Sequence, residues 1–275
     1  VIASNKHGLK GVLSAGGVLD QIVDAKAARL QVTKRERPLE EVAKAVESVS
    51  KSTGVSFFES LSRTDRVNVI AEIKRRSPSK GILREDFDPV SIAKSYERGG
   101  AAAISVLTEE DFFDGSPEFL RRAREHVSLP LLRKDFIFDE YQVYESAAMG
   151  ASALLLIVAI LDIQLLKSLL DLTERVGLDA LVEVHTQDEM AKAVNAGARI
   201  IGINNRDLTS FVVDLATSVR LASLAPAGTL LVSESGINTR NDIERLRETG
   251  FNAFLIGERF MRADDLSQAV EELIG

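Results

Sequence analysis

Residues 129–138 read LPLLRKDFIF. The run opens as a buried strand does, with Leu129, Pro130, Leu131 and Leu132, then sets Arg133, Lys134 and Asp135 in a row before Phe136, Ile137 and Phe138. Charged side chains are rarely buried without partners. An apolar strand that ends in charge therefore ends against something polar. Successive side chains of a strand alternate between its faces, so Lys134 points one way and Arg133 and Asp135 the other. The expectation is that Lys134 reaches an open strand end. Arg133 and Asp135 would bind the strand to a helix layer or cap the next loop.

The same design recurs on both sides. Short β-branched or apolar runs stand near 68–74, 102–108, 130–136, 153–159, 179–185, 199–205, 229–235 and 252–257, with amphipathic helical runs between them. Several helical runs stop on the same punctuation: ERGGAAA, AAMGASA, ERVGLDA, NAGARI and ETGFNA. A glycine there fits a helix C-cap that feeds directly into a strand. Eight strand–helix units of roughly 25–30 residues each suit βα repeats, and together they predict an α/β fold, a closed (βα)8 TIM barrel. A doubly wound open sheet is the alternative. The even spacing and the missing G-x-G-x-x-G after the first strand weigh against it.

Ahead of the barrel, Val18, Leu19, Ile22, Ala25 and Ala28 share one helical face, and RPLEEVAKAVES begins a second helix near Pro38. The expected organisation is an N-terminal extension over 1–17, outside the core and partly disordered. A single barrel domain follows over 18–275, with N-terminal helices in 18–66. The composition is that of an ordinary globular chain: 275 residues, 45% hydrophobic, 27% charged. With no cysteine, disulfides, thiolate metal sites and a cysteine nucleophile are excluded. The most apolar stretch, ASALLLIVAI at 151–160, is far too short to span a membrane. A net charge of −7 argues against nucleic acid as partner, though a local pocket can still be basic.

Active sites of such barrels lie at the C-terminal ends of the strands, and polar groups collect there. The first strand ends in Glu72 and Lys74, the third in Lys134, the fifth in Glu183, the sixth in Asn204 and Arg206, and the seventh in Glu234 and Ser235. One charged residue at one strand end is ordinarily a solvated loop residue, and Glu72 with Lys74 could be a structural ion pair. Five strands ending this way together point to a site. SESGI (233–237) and LIGERF (255–260) follow strands seven and eight, where barrels often bind phosphate through backbone N–H groups. Gly236 and Gly257 would permit close backbone approach. SPSKG (77–81) reads as a mobile loop able to close on an anion. His7, His126 and His185 show no metal-ligand spacing. His185 ends strand five, where a hydrogen-bonded structural histidine is the ordinary reading.

A set of motifs then converges. IAEIKRRSPSKG (70–81), SVLTE (105–109), FFDGS (112–116), LLRKDFI (131–137), ALLLIV (153–158), LVEVH (181–185), GINNRDL (202–208), SESGI (233–237) and FLIGERFM (254–261) together resemble the indole-3-glycerol phosphate synthase family of tryptophan biosynthesis. The resemblance runs over about 18–273. It implies a (βα)8 barrel with extra N-terminal helices and a carboxy-lyase: ring closure, decarboxylation and dehydration of 1-(2-carboxyphenylamino)-1-deoxyribulose 5-phosphate to indole-3-glycerol phosphate. It implies no metal and no organic cofactor, a phosphorylated small-molecule partner, and a cytoplasmic location. It leaves the oligomeric state open, a monomer being compatible with it.

Carried over by motif, Lys134 matches the general acid that protonates the substrate ketone, and Glu183 its partner carboxylate. Glu72 and Lys74 match the pair for substrate anchoring and the later dehydration. Asn204 and Ser235 match groups that orient the substrate hydroxyls and the carboxylates, supported by Glu234 and Arg206. Ser77 and the backbone around Ser235, Gly236, Gly257 and Glu258 match anion and phosphate contacts. Pro78, Phe113, Phe136, Leu155, Ile157 and Leu208 match the apolar slot for the anthranilate ring. Two departures stand out. The 1–17 extension has no counterpart, and Glu258 sits where a small residue would suit phosphate better; its carboxylate is expected to turn to solvent. Phosphoribosylanthranilate isomerase, a rival barrel, relies on a cysteine that this chain lacks. A non-catalytic or weakly active scaffold derived from the family is the other alternative; loss of Lys134 or Glu183 would have signalled it.

Overall fold

A computed structural model describes residues 7–48, 56–207 and 210–275. Helices α1 (Gly17–Glu36), α2 (Leu39–Ser48) and α3 (Phe57–Leu61) precede eight parallel strands. The strands are β1 (Asn68–Ile73), β2 (Ala103–Leu107), β3 (Leu131–Lys134), β4 (Ala153–Ile157), β5 (Asp179–Val184), β6 (Ile200–Asn204), β7 (Leu230–Glu234) and β8 (Ala253–Ile256). Each pairs with the next, and β1 pairs with β8 through Asn68–Ala253 to Ala71–Ile256, so the sheet closes into a barrel. The open-sheet alternative is excluded by that closure.

The outer layer consists of α4 (Pro89–Arg98), α5 (Pro117–Arg124), α6 (Glu140–Ala148), α7 (Ile163–Arg175), α8 (Gln187–Ala196), α9 (Ala216–Ala222), α10 (Arg240–Glu248), the short α11 (Glu258–Met261) and α12 (Leu266–Ile274). Side chains of Asp88, Ser116, Asp139, Asp162, Thr186 and Thr239 accept a backbone N–H at the start of six of these helices. Each such cap is worth about 1 kcal/mol. Gly100, Gly150, Gly177, Gly197 and Gly250 end the helical runs with φ between 82° and 99°, the left-handed conformation that glycine adopts without steric cost. Each capped helix returns the chain to the start of the next strand, so all eight strands run parallel and their C-terminal ends meet at one mouth.

Residues 7–17 depart from the expectation. The chain there docks on the barrel instead of standing outside it. Val12 is buried and bridges Leu161. Leu13 donates its N–H to the Ile160 carbonyl, and Asp162 donates to the Gly11 carbonyl, both at 2.8 Å. A single strand-like residue among glycines carries no periodic pattern, so its burial leaves no sequence signal. Residues 1–6 lie outside the described residues. The SPSKG stretch also differs from a plain loop: Arg76–Ser77 and Gly81–Ile82 pair as a two-residue antiparallel ribbon, and Lys80 donates its N–H to Ser77 Oγ.

Val12→Ala is expected to cost roughly 1 kcal/mol, read as a lower urea midpoint at constant slope. An unchanged midpoint would show that the docked segment contributes nothing to stability.

Candidate active site

The three charges of the opening stretch separate as strand alternation requires. Arg133 and Asp135 enter the helix layer. Arg133 Nη1 lies 2.8 Å from Glu145 of α6 and donates to the Gln142 carbonyl and Ser146 Oγ, while its Nη2 donates to Asp135 at 3.0 Å. Asp135 also accepts from Thr108 Oγ1 at 2.6 Å and from its neighbour Phe136 N–H. Lys26 of α1 reaches Asp135 Oδ1 at 2.8 Å and Glu110 at 3.2 Å. Burial opposes the Asp135 charge, but Lys26 and Arg133 outweigh it and hold its pKa at about 2. This network fixes the end of β3 and seats α1 across the barrel mouth.

Lys134 goes the other way, into a cavity of about 650 Å³ at the C-terminal strand ends. All the residues expected at the site line it except Leu208, which lies outside the described residues. Lys134 Nζ is 3.2 Å from Glu183 and 3.5 Å from Glu234; Lys74 Nζ is 2.5 Å from Glu72. Asn204 donates to Glu183, and the Arg206 N–H occupies the Asn204 carbonyl oxygen at 3.0 Å, which orients the amide.

The electrostatics follow from five charges in an apolar barrel. Burial disfavours the Lys134 ammonium, yet Glu183, Glu234 and Glu72 raise its pKa. Burial raises Glu72 and Glu183, but their lysine partners win and both end below the usual carboxylate range. Three carboxylates face two ammoniums, and Glu234 carries the excess. Neither of its oxygens has a hydrogen bond among the described residues, and burial, with Glu183 and Glu72 nearby, pushes its pKa up to about 8. Of the three carboxylates, Glu234 is the one whose charge is least favoured. Two glycines make room for these side chains. A Cβ at Gly257 would collide with the Glu72 carboxylate, and one at Gly202 with that of Glu234.

The far end of the cavity is built from the loops after β7 and β8. Ser235 and Gly236 are both left-handed, at φ 67° and 84°. Such a conformation is uncommon for serine and is held here by Asn205, which donates to Ser233 Oγ and to the Glu234 and Ser235 carbonyls. Arg206, Arg259 and Arg262 also line this end. The Glu258 side chain, expected to turn to solvent, is 34% exposed and lies 3.6 Å from Arg206 and 3.5 Å from Arg262, its i,i+4 neighbour. The approach of Arg206 is not shown by a linear reading. The apolar wall pairs Phe113 with Phe136, ring centroids 6.1 Å apart, beside Pro78, Leu155 and Ile157. Glu109 accepts the N–H groups of Asp111, Phe112 and Phe113, and so shapes the turn that carries Phe113.

Sequence reasoning missed several of these contributors. Val18, Leu19 and Ile22 of α1 line the cavity, although their helical face looked like plain packing. Asn205 sat in the shadow of Asn204, Arg259 lay inside the FLIGERFM motif without being singled out, and Arg262 lay just beyond it. The signal shared by these three was proximity to a strand end. His185 lies outside the cavity lining and is hydrogen-bonded to Glu189, the ordinary reading.

The family model for indole-3-glycerol phosphate synthase matches residues 19–273. The chain belongs to that family. It is 48% identical over 261 residues to the indole-3-glycerol phosphate synthase of Carboxydothermus hydrogenoformans, an alignment covering 93% of this chain and 99% of the relative. The corresponding enzyme of Lachnoclostridium phytofermentans is 43% identical, with 93% and 98% covered. Among solved structures, thiamine phosphate pyrophosphorylase from Pyrococcus furiosus aligns with a TM-score of 0.58 at 18% identity, covering 75% of this chain and 93% of that one. N-acetylmannosamine-6-phosphate 2-epimerase from Clostridium perfringens gives 0.57 at 16%, with 71% and 88% covered. At these identities the likeness concerns the barrel fold alone.

Lys26→Met removes one partner of a buried charge and is expected to destabilise the chain by about 3 kcal/mol at neutral pH. Because the folded Asp135 pKa is depressed, its stabilisation is fully present above the ordinary value of ~3.9 and is lost as pH falls through about 2. Chemical unfolding of both proteins at neutral pH checks the first statement, and unfolding across that acid range checks the second.

Proposed function

We propose that this cavity closes the indole ring of 1-(2-carboxyphenylamino)-1-deoxyribulose 5-phosphate, with loss of carbon dioxide and water. The observation that carries the reading is the Lys134 ammonium held between Glu183 and Glu234, between an apolar slot at one end of the cavity and a cation-lined, glycine-rich end at the other. A flat aromatic ring fits the slot formed by Pro78, Phe113, Phe136, Leu155 and Ile157. The phosphate fits the end formed by Ser235, Gly236, Gly257 and the arginines, with Ser77 offered to an anion from the loop after the adjacent strand β1. Family membership supports the same chemistry.

The aromatic carbon that bears the carboxylate attacks the ketone carbon. Negative charge then builds on the ketone oxygen, and Lys134 protonates it. A raised lysine pKa does not prevent this step, because the developing alkoxide is a far stronger base than the amine. Glu183 stabilises the positive charge of the intermediate and assists proton return to Lys134. Carbon dioxide leaves readily, since its departure restores ring aromaticity. Glu72 and Lys74 anchor the substrate and serve the loss of water, while Asn204 and Ser235 orient hydroxyls. With the substrate carboxylate ionised, each turnover takes up one proton. Positioning and protonation are the main demands on the protein. Both Lys134 and Glu183 are in place, so no observation favours a non-catalytic scaffold. The proposed setting is cytoplasmic; among the described residues no helix is long and apolar enough to cross a membrane.

Turnover is followed by indole fluorescence with the purified protein. Lys134→Ala is expected to lower kcat by at least about a thousandfold while leaving the far-ultraviolet spectrum unchanged. Glu183→Gln is expected to lower kcat by at least about a hundredfold. Near-normal turnover by Lys134→Ala, or a change confined to KM in Glu183→Gln, would contradict these roles.

A further inference from the structure

His185 has no part in the chemistry described so far. It follows Glu183 by two residues, and its side chain is 11% exposed. Nε2 lies 3.4 Å from Glu183 Oε1, an ion-pair distance without a hydrogen bond among the described residues, and Nδ1 is hydrogen-bonded to Glu189 Oε2 at 3.2 Å. The other Glu183 oxygen, Oε2, faces Lys134. Glu189 is itself fixed. Its Oε2 accepts the His185 backbone N–H at 2.8 Å, and its own N–H is held by Thr186 Oγ1 at the start of α8.

A neutral imidazole offers one N–H and one lone pair. A lone pair repels a carboxylate oxygen, so the neutral ring can serve Glu183 or Glu189 but not both. The imidazolium serves both. The other charged groups around it agree with that state. Glu234 of β7 adds a third acidic neighbour. Lys134 of β3 lies beyond Glu183, and the Lys192 ammonium of α8 is occupied by the Val158 and Leu161 carbonyls. Burial works against the charged ring, but the hydrogen bond to Glu189 and the charges of Glu183, Glu189 and Glu234 outweigh it, and the pKa is raised.

We propose that His185 is a positioning residue for ring closure: clamped by Glu189 as an imidazolium, it fixes Glu183 Oε1 so that Oε2 is presented to Lys134. This rests on the functional reading above and adds a control to it. As pH rises past the His185 pKa, one of the two contacts is lost and Glu183 loosens. The effect falls on kcat, because His185 does not line the cavity.

The test measures kcat and KM from about pH 6 to 10 for the unaltered protein, His185→Leu, His185→Asn and Glu189→Gln, with melting temperatures. The three histidines also allow His185 to be titrated by NMR in the unaltered protein and in Glu189→Gln. His185→Leu is expected to lower kcat roughly ten- to a hundredfold with KM nearly unchanged and to abolish the alkaline fall that His185 causes. His185→Asn, which retains an N–H donor, is expected to recover part of the loss. Glu189→Gln removes a charge that raises the His185 pKa, so it is expected to move the alkaline limb and the NMR titration together to lower pH. Unaltered kcat in His185→Leu, or a limb and titration that stay in place in Glu189→Gln, overturns the proposal. Failure of the unaltered protein to turn over substrate overturns the functional reading instead, and the NMR titration then still decides whether the clamp exists.

Discussion

Asp135 is the joint on which the site depends. Its carboxylate holds Lys26 of the N-terminal helix and Arg133 of its own strand at once. The residue between Arg133 and Asp135 in the chain is Lys134. Because the two flanking side chains are pinned in the helix layer, the backbone of Lys134 cannot rotate, and the ammonium must point into the cavity. Ion pairs of this kind add little net stability compared with apolar packing. Their return here is orientation: one buried carboxylate sets the direction of a lysine and seats the helix whose Val18, Leu19 and Ile22 line the same cavity.

The mouth then works with an uneven charge count. Lys74 neutralises Glu72, and Lys134 is shared between Glu183 and Glu234. Burial and like charge raise the pKa of a surplus carboxylate, and Glu234, with neither oxygen hydrogen-bonded among the described residues, is the one raised. Opposite shifts on neighbouring carboxylates separate groups that hold a charge from groups that hold a proton, the usual physical basis for dividing acid and base tasks in one site.

Much of this was legible in the linear chain because barrel geometry converts sequence order into position. An apolar run that stops on a charge is a strand end, and all strand ends meet at one mouth. Glu72, Lys134, Glu183, Asn204 and Glu234 could be named on that rule, and helix-ending glycines marked where the next strands begin. The rule fails where position depends on contacts distant in sequence. Val12 is buried by Leu161, with no pattern around it to show this. Glu258 lies beside Arg206, which is distant in the chain, and the order of residues does not show that approach. Asn205 was hidden by the neighbour that reaches the cavity, although it holds the strained Ser235 turn from behind. In each case the missing information was a partner, and the residue type was already in view.

Gly202 and Gly257 were described as room for carboxylates. The same fact couples neighbouring strands. A side chain at either position takes the space of one glutamate on the next strand, Gly257 that of Glu72 and Gly202 that of Glu234. The placing of two carboxylates is therefore set partly by two residues that carry no charge and no side chain at all.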